Sequence, residues 1–298
     1  MMDNFEGLLE EKRQEAEKCV ARFLPKTDGT YQKTLNEAVN YSIMVGGKRL
    51  RPIIMKEVFD LLGGSDSSVE YLMAALEMIH SGSLVHDDLP CMDNDIYRRG
   101  KHTTWYVYHE DMATLAGDDL FIYPFYVASA AASAAADPAR VLKAIRILAQ
   151  KSAHDGMIGG QSVDVEYTDR PINEEQLDFI YRLKTGALLE AAMMIGAVLA
   201  GADDETVSRM EQIAANVGMA FQIRDDILDL TSTTEELGKP VMSDVKNNKT
   251  TYVSLYGMDA AEAKVASCLE EAIQQLRAIC GEDTFLEDLF ESLIHRNK

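Results

Sequence analysis

Apolar residues recur at helical spacing along almost the whole chain, and proline and glycine divide the recurrence into about a dozen segments. The pattern predicts helices over residues 4–24, ended by Pro25; 31–45, stopped by Gly46-Gly47; and 52–62, opened by Pro52 and ended by Gly63-Gly64. The next runs over 67–88, with Ser67 or Ser68 as cap and Glu70 in its first turn. Further helices are predicted over 112–136, 138–156, 173–199, 203–230, 251–258, 260–278 and 284–294. Asn173 caps the apolar 173–199 segment, which carries Gly186 inside it. No strand pattern, internal repeat or linker stands out. The expected fold is all-α, a single domain over residues 1–298 built as one large helical bundle.

Two places break the apolar pattern with carboxylates. In the helix ending at Leu230, Gln222, Asp225, Asp226 and Asp229 fall at i, i+3, i+4 and i+7, so they share one stripe of an otherwise apolar helix. Like charges this close oppose burial, so a cation is expected beside them. Upstream, His80, Ser83 and Asp87 share a face of the helix that ends near Asp88. Asp93 would lie off that face on a straight helix, but Pro90 ends the helix and can swing Asp93 back toward Asp87. Either cluster alone is as well read as a helix end or a solvated face. Taken together they suggest two aspartate-rich helix ends opposed across hard cations. Oxygen-only ligands suit magnesium, and neither cluster has the alternating oxygens and central glycine of a calcium loop.

Composition narrows the choice. A hydrophobic content of 47% allows a large core, and a net charge of −20 argues against nucleic acid and anionic lipid as partners. Cys19, Cys91, Cys268 and Cys280 have no metal-ligand spacing and read as ordinary thiols in a reducing compartment. The N-terminal residues are acidic and amphipathic, unlike a signal peptide. The run over 120–136 is the nearest to a membrane span, but it contains Pro124 and follows Asp118-Asp119. A cytoplasmic protein without a stable membrane anchor is expected.

Cations accompany the acids. Gly46-Gly47-Lys48-Arg49-Leu50-Arg51-Pro52 places three of them after a glycine turn at a helix start, where amides and side chains can hold an anion. Arg98-Arg99 follows the first acidic cluster, Lys184-Thr185 lies in the apolar 173–199 helix, and Lys239 and Lys249 bracket a polar loop. With two magnesium-type clusters, this equipment describes a site for two diphosphates, one held through metal and one held directly.

On these motifs the sequence resembles the trans-isoprenyl diphosphate synthases of the short-chain farnesyl or geranylgeranyl type. They are the Gly46 to Pro52 run, His86-Asp87-Asp88-Leu89-Pro90-Cys91-Met92-Asp93 with Arg98-Arg99-Gly100, Lys184-Thr185, Phe221 to Asp229, and Gly238-Lys239-Pro240 through Asp244 to Lys249. The resemblance implies an isoprenoid synthase bundle with a central cavity, acting as a homodimer. It implies three magnesium ions held directly or through water by Asp87, Asp88, Asp93, Asp225, Asp226 and Asp229, with Asp87, Asp93 and Asp225 as direct ligands. Arg98, Lys184, Lys239 and Lys249 would complete the charge shell of an allylic diphosphate, with Thr185 and Gln222 nearby. Isopentenyl diphosphate would lie among Lys48, Arg51, His80 and Arg99, with Gly47 in the turn. Asp87, Asp93, Asp225 and Lys184 would carry the chemistry.

Gly82 stands where the bacterial farnesyl type usually has an aromatic residue, which implies a deeper tunnel and a twenty-carbon product; a bulky residue from another helix could still stop growth at fifteen. Asp119, and the run His102-Thr103-Thr104-Trp105, depart from the family pattern. A terpene cyclase on the same scaffold would need only one diphosphate site and leave Lys48, Arg51 and Arg99 without purpose. A non-catalytic partner subunit would be expected to lack one of the two acidic clusters.

Overall fold

Helices form over the predicted segments, with ends shifted by up to six residues, and two further helices, Thr104–Tyr108 and Met157–Glu166, form where none is predicted. The computed structural model describes residues 2–29, 31–231, 250–282 and 284–295. In order these are α1 (Met2–Ala21), α2 (Lys33–Met44), α3 (Leu50–Leu61), α4 (Ser68–Asp87), β1 (Tyr97–Arg98), β2 (Lys101–His102), α5 (Thr104–Tyr108) and α6 (Glu110–Ala130). They continue with α7 (Pro138–Ser152), α8 (Met157–Glu166), α9 (Glu174–Ile180), a π-helical segment (Tyr181–Gly186), α10 (Ala187–Ala200) and α11 (Asp204–Thr231). The chain closes with α12 (Tyr252–Tyr256), α13 (Met258–Cys280) and α14 (Thr284–His295). Asn173 caps α9 as expected, in a reciprocal capping box with Gln176.

The fold is all-α apart from one feature the sequence reading missed. Tyr97 pairs with His102 and Arg98 with Lys101 in a two-stranded antiparallel hairpin. Its two-residue turn, Arg99-Gly100, has positive φ at both positions, 54° and 74°, as a type I′ turn requires. The hairpin matters because Arg98 and Arg99, adjacent in sequence, leave it in different directions.

The chain divides into two compact units, Met1–Arg146 with Val198–Gly201, and Ile147–Ala197 with Ala202–Lys298. In the first unit α4 is the central helix, packed against α1, α2, α3 and α6. Leu72, Leu76, Met78 and Ile79 are fully buried, as suits a helix apolar on nearly all sides. Its approach to α6 is close: a Cβ on Gly82 would lie 2.9 Å from Leu120 Cβ, and one on Gly117 would meet the His86 ring.

In the second unit α11 packs against α13, α12, α14 and the π-helical segment. Ile213, Val217, Ala220 and Ile223 supply one side of this core, and Ala272, Leu276 and Phe290 the other. A buried ionic cluster lies in the same unit. Lys151 Nζ donates to Glu190, whose side chain is fully buried, and to Glu211 Oε1 at 2.6 Å.

The stretch Glu174–Ala200 is long and apolar enough to cross a membrane by length and composition, and 72% of its most apolar window is buried in the fold.

Candidate active site

In the first unit, the chain turns back at the end of α4. The Asp93 N–H donates to the Asp87 carbonyl at 2.8 Å, while Met92 and Asn94 donate to Leu89. Asn94 takes a left-handed φ of 55°, which closes the turn. The break at Pro90 thus brings Asp93 back beside Asp87, as the sequence suggests. The three carboxylates of this cluster are not equivalent. Asp87 is half-buried and Asp93 exposed, whereas Asp88 is only 3% exposed. Arg98 Nε reaches both Asp88 oxygens, at 2.7 and 3.0 Å, and Nη2 lies 2.6 Å from one of them. Arg98, expected on a diphosphate, is here the partner of Asp88.

Beside this cluster lies the basic pocket. Gly46 and Gly47 have φ of 103° and 140°, and Arg49 is left-handed at 52°. A Cβ on Gly47 would sit 2.5 Å from Arg99 Nη1, so glycine is what lets that guanidinium pass and donate to the Gly46 carbonyl. The three cations of the motif take separate places. Lys48 is exposed, Arg49 is fully buried, and Arg51 is half-buried against His80. Arg51 Nε is buried and makes no hydrogen bond. Burial depresses the Arg51 pKa, and the like charge of Arg99 adds to this, against the pull of Glu77. Arg99 keeps an exposed side, yet partial desolvation depresses it too, against the pull of Glu77 and with Arg49 and Arg98 adding repulsion. Accumulated positive charge with an unsatisfied buried donor is what a bound polyanion would relieve.

His80 links this pocket to the core. Its Nε2 lies 3.2 Å from Arg51 Nη1 and its Nδ1 lies 3.4 Å from Glu77 Oε2. Burial lowers the imidazole, and Arg51 lowers it further, to about 4, so the ring is neutral at pH 7. Burial works against the Glu77 carboxylate, but His80 and then Arg49 more than offset it and hold Glu77 at about 2. Since the imidazole is neutral at pH 7, its part there is the Nδ1–H hydrogen bond.

A pH dependence follows. The folded pKa of His80 lies below its ordinary value of 6.5, so the unfolded chain takes up that proton first as pH falls. The stability this carries is whole above about pH 6.5 and declines as pH falls toward 4. Glu77 acts in the same direction lower down, whole above 4.5 and lost toward 2. Over pH 6.5 to 4, the urea midpoint of the unsubstituted chain is expected to fall more steeply than that of His80→Gln. Parallel curves would contradict the buried neutral imidazole.

In the second unit, α11 carries the other cluster. Asp225 is half-buried, and Asp226 and Asp229 are each only 3% exposed. Asp226 Oδ2 accepts from Tyr181 Oη at 2.5 Å and from the Tyr252 N–H at 2.9 Å. Two strong donors on one carboxylate make Asp226 a brace between α11, the π-helical segment and α12. Exposure therefore divides both clusters alike, leaving Asp87, Asp93 and Asp225 as the carboxylates most open to a ligand.

Lys184 and Thr185 lie inside the π-helical segment. Two glycines hold that segment in place. A Cβ on Gly160 of α8 would come within 2.2 Å of Lys184 N, and one on Gly218 of α11 within 3.1 Å of Gly186 Cα. The extra residue per turn re-aims the side chains, as such insertions do at functional sites. Lys184 Nζ contacts Asp164 Oδ2 at 2.5 Å, and Thr185 Oγ1 donates to Gln222 Oε1 at 2.8 Å. These residues, with Tyr181 and Asp226, line one cleft. Asp164 and Tyr181 escaped the sequence reading, although Lys184 required a counter-charge. Lys239, Lys249, Gly238, Pro240 and Asp244 lie outside the described residues.

Comparison with known proteins adds the following. The sequence pattern of the polyprenyl synthetase family matches residues 32–284. A farnesyl diphosphate synthase of Geobacillus stearothermophilus is 39% identical over 272 residues, covering 91% of each chain. A geranylgeranyl diphosphate synthase of Cyanophora paradoxa is 38% identical over 291 residues, covering 97% of this chain and 95% of that one. Among solved structures, an apo FPP/GFPP synthase of Zymomonas mobilis superposes with a TM-score of 0.84 at 30% identity, over 99% of both chains. A geranyltransferase of Helicobacter pylori, complexed with magnesium and isoprenyl diphosphate, gives 0.81 at 29% identity over 97% of this chain and 95% of that one.

Proposed function

Because the chain belongs to the polyprenyl synthetase family and is a short-chain trans-prenyl diphosphate synthase, we propose that it condenses isopentenyl diphosphate with dimethylallyl, geranyl or farnesyl diphosphate, assisted by magnesium. The observation that carries the reading is the presence, in one unit, of the Asp87–Asp93 turn, the Arg51–His80 contact and the Arg99 guanidinium against Gly46-Gly47, with Lys48 proposed to join these cations. The turn suits a metal-held diphosphate and the rest a diphosphate held by protein cations.

Carboxylates alone form the donor set, which fits magnesium. Among the described residues, no three His, Cys, Asp or Glu side chains are already gathered as a metal cage. Asp87, Asp93 and Asp225 are the proposed direct ligands of magnesium, with Asp88, Asp226 and Asp229 behind them, for three ions in all. Bound magnesium would supply Lewis-acid charge to the departing diphosphate oxygens. Lys184 would exchange Asp164 for an allylic diphosphate, with Thr185 and Gln222 beside it. Lys239 and Lys249 would join them.

We further propose that the chain works as one domain, in the cytoplasm and as a homodimer. An apolar stripe on α6 suits a second copy: Leu115, Ile122 and Tyr126 are 51%, 72% and 72% exposed. Sedimentation of Ile122→Asp should show a monomer where the unsubstituted chain shows a dimer.

Gly82 has a packing reason to be glycine, since Leu120 fills the place a side chain would take. Gly82→Tyr alone is expected to destabilise by about 1–3 kcal/mol through overpacking. Gly82→Tyr with Leu120→Ala should regain stability and shorten the product by five-carbon units. Unchanged chain length by mass spectrometry would place the tunnel floor elsewhere.

Mass analysis of products from isopentenyl diphosphate with each allylic primer tests the reaction. Linear prenyl diphosphates are expected. A cyclised product formed without isopentenyl diphosphate would overturn the assignment, and so would activity that requires a second polypeptide.

A further inference from the structure

Glu77 is 1% exposed and sits on α4 one turn before His80, with no place in the chemistry so far. It is held from below. Its Oε1 accepts from Arg49 Nη1 at 2.8 Å, and the Arg49 side chain is fully buried. Arg49 is fixed in turn by the Ile43 carbonyl and by Glu17 Oε1 at 3.6 Å. The other Glu77 oxygen faces His80 Nδ1, and His80 Nε2 faces Arg51 Nη1. A guanidinium only donates. Nε2 must therefore accept from Arg51, so the ring proton is on Nδ1 and is donated to Glu77. Every other arrangement of that proton on a neutral ring sets donor against donor.

We propose that Glu77 is a positioning residue for the isopentenyl diphosphate pocket: pinned by Arg49, its carboxylate fixes the His80 tautomer and so aims the Arg51 guanidinium. The proposal rests on the reading that Arg51 and His80 belong to that pocket. The chain Arg49–Glu77–His80–Arg51 joins a fully buried ion pair to a half-buried cation, so the rigidity of the core reaches the anion site through three contacts. It also separates two arginines of one motif by task, Arg49 to hold the carboxylate and Arg51 to meet the ligand. The low value of Glu77 keeps it an acceptor throughout the neutral range.

Glu77→Gln is the informative substitution, because it preserves shape. The amide oxygen must go to Arg49, which leaves the amide NH2 toward His80. His80 then has to carry its proton on Nε2, against Arg51, and the two part. The KM for isopentenyl diphosphate is expected to rise by roughly tenfold, about the worth of one hydrogen bond. The KM for the allylic diphosphate and kcat should not move, and Glu77→Asp, which restores the acceptor, should regain part of the loss. Side-chain nitrogen NMR of the full-length protein, free of substrate at pH 7, should show His80 protonated on Nδ1, and on Nε2 in Glu77→Gln.

A His80 tautomer that is Nε2–H in the unsubstituted chain, or that ignores Glu77→Gln, overturns the proposal, and this arm needs no enzyme assay. A loss that falls equally on both substrates and on kcat also overturns it, since a purely structural role would do that. If Arg51→Gln leaves the isopentenyl diphosphate KM unchanged while the NMR behaves as expected, the pocket assignment itself is wrong and the proposal falls with it.

Discussion

Asp87→Ala and Asp225→Ala are each expected to lower kcat by about a thousandfold or more, with the fold intact. A diphosphate leaves only when cations absorb its charge, and a divalent ion supplies several kcal/mol of that stabilisation, so about 4 kcal/mol lost is about three orders of magnitude. Both residues are half-buried, and the backbone bond from Asp93 N–H to the Asp87 carbonyl does not depend on the side chain. Circular dichroism should therefore show the helical fold retained. Asp88→Ala and Asp226→Ala remove buried carboxylates and strip partners from Arg98 and from Tyr181 with Tyr252. Their loss should be read partly in stability. Rates near normal in Asp87→Ala or Asp225→Ala would refute the ligand assignment.

Lys151→Met is expected to destabilise the protein by about 3–5 kcal/mol, the usual effect of removing one partner of a buried ion pair. Glu190 would remain fully buried. Lys151 holds Glu190 Oε2, while among the described residues Oε1 makes no hydrogen bond and has only Arg182 Nε, at 3.9 Å, within ion-pair reach. Arg182 is largely exposed, so its charge is well screened. The double substitution Lys151→Met with Glu190→Leu should recover most of the loss, since apolar replacement of a whole buried pair is often neutral. Equilibrium urea unfolding measures both, and a single variant as stable as the unsubstituted chain would show that water reaches Glu190.

Much of this was legible in the residues because helices announce themselves by period and by punctuation. Gly63-Gly64, Pro138 and Asn173 mark the ends observed, and the stripe from Gln222 to Asp229 does lie on one long helix, α11. The misses have local causes. No helix is predicted between residues 156 and 173, yet α8 forms there with Gly159-Gly160 inside it, and glycine at 160 is what allows α8 to press on the Lys184 backbone. The hairpin over 97–102 is too short for alternation to show, and its signal was only a glycine following Arg99. The 173–199 helix was expected to be regular. Its π-helical turn answers to the neighbouring glycines at 160 and 218, a tertiary cause that no pattern within the helix reveals.

At the site, spacing identified the charged residues but not their division of labour. Burial, which a single sequence does not state, separates Arg49 from Arg51 and Asp88 from Asp87. Glu77 was passed over because a glutamate amid Leu76 and Met78 carries no motif of its own, although its i, i+3 relation to His80 places both on one face.

The central claim is that each aspartate cluster is needed for magnesium-dependent binding of an allylic diphosphate. Calorimetric titration of an unreactive allylic thio-diphosphate, with and without magnesium, into the unsubstituted chain, Asp87→Ala and Asp225→Ala tests it most directly. Magnesium should tighten binding to the unsubstituted chain, and each substitution alone should abolish most of that gain. Undiminished magnesium-dependent binding in either variant would contradict the account.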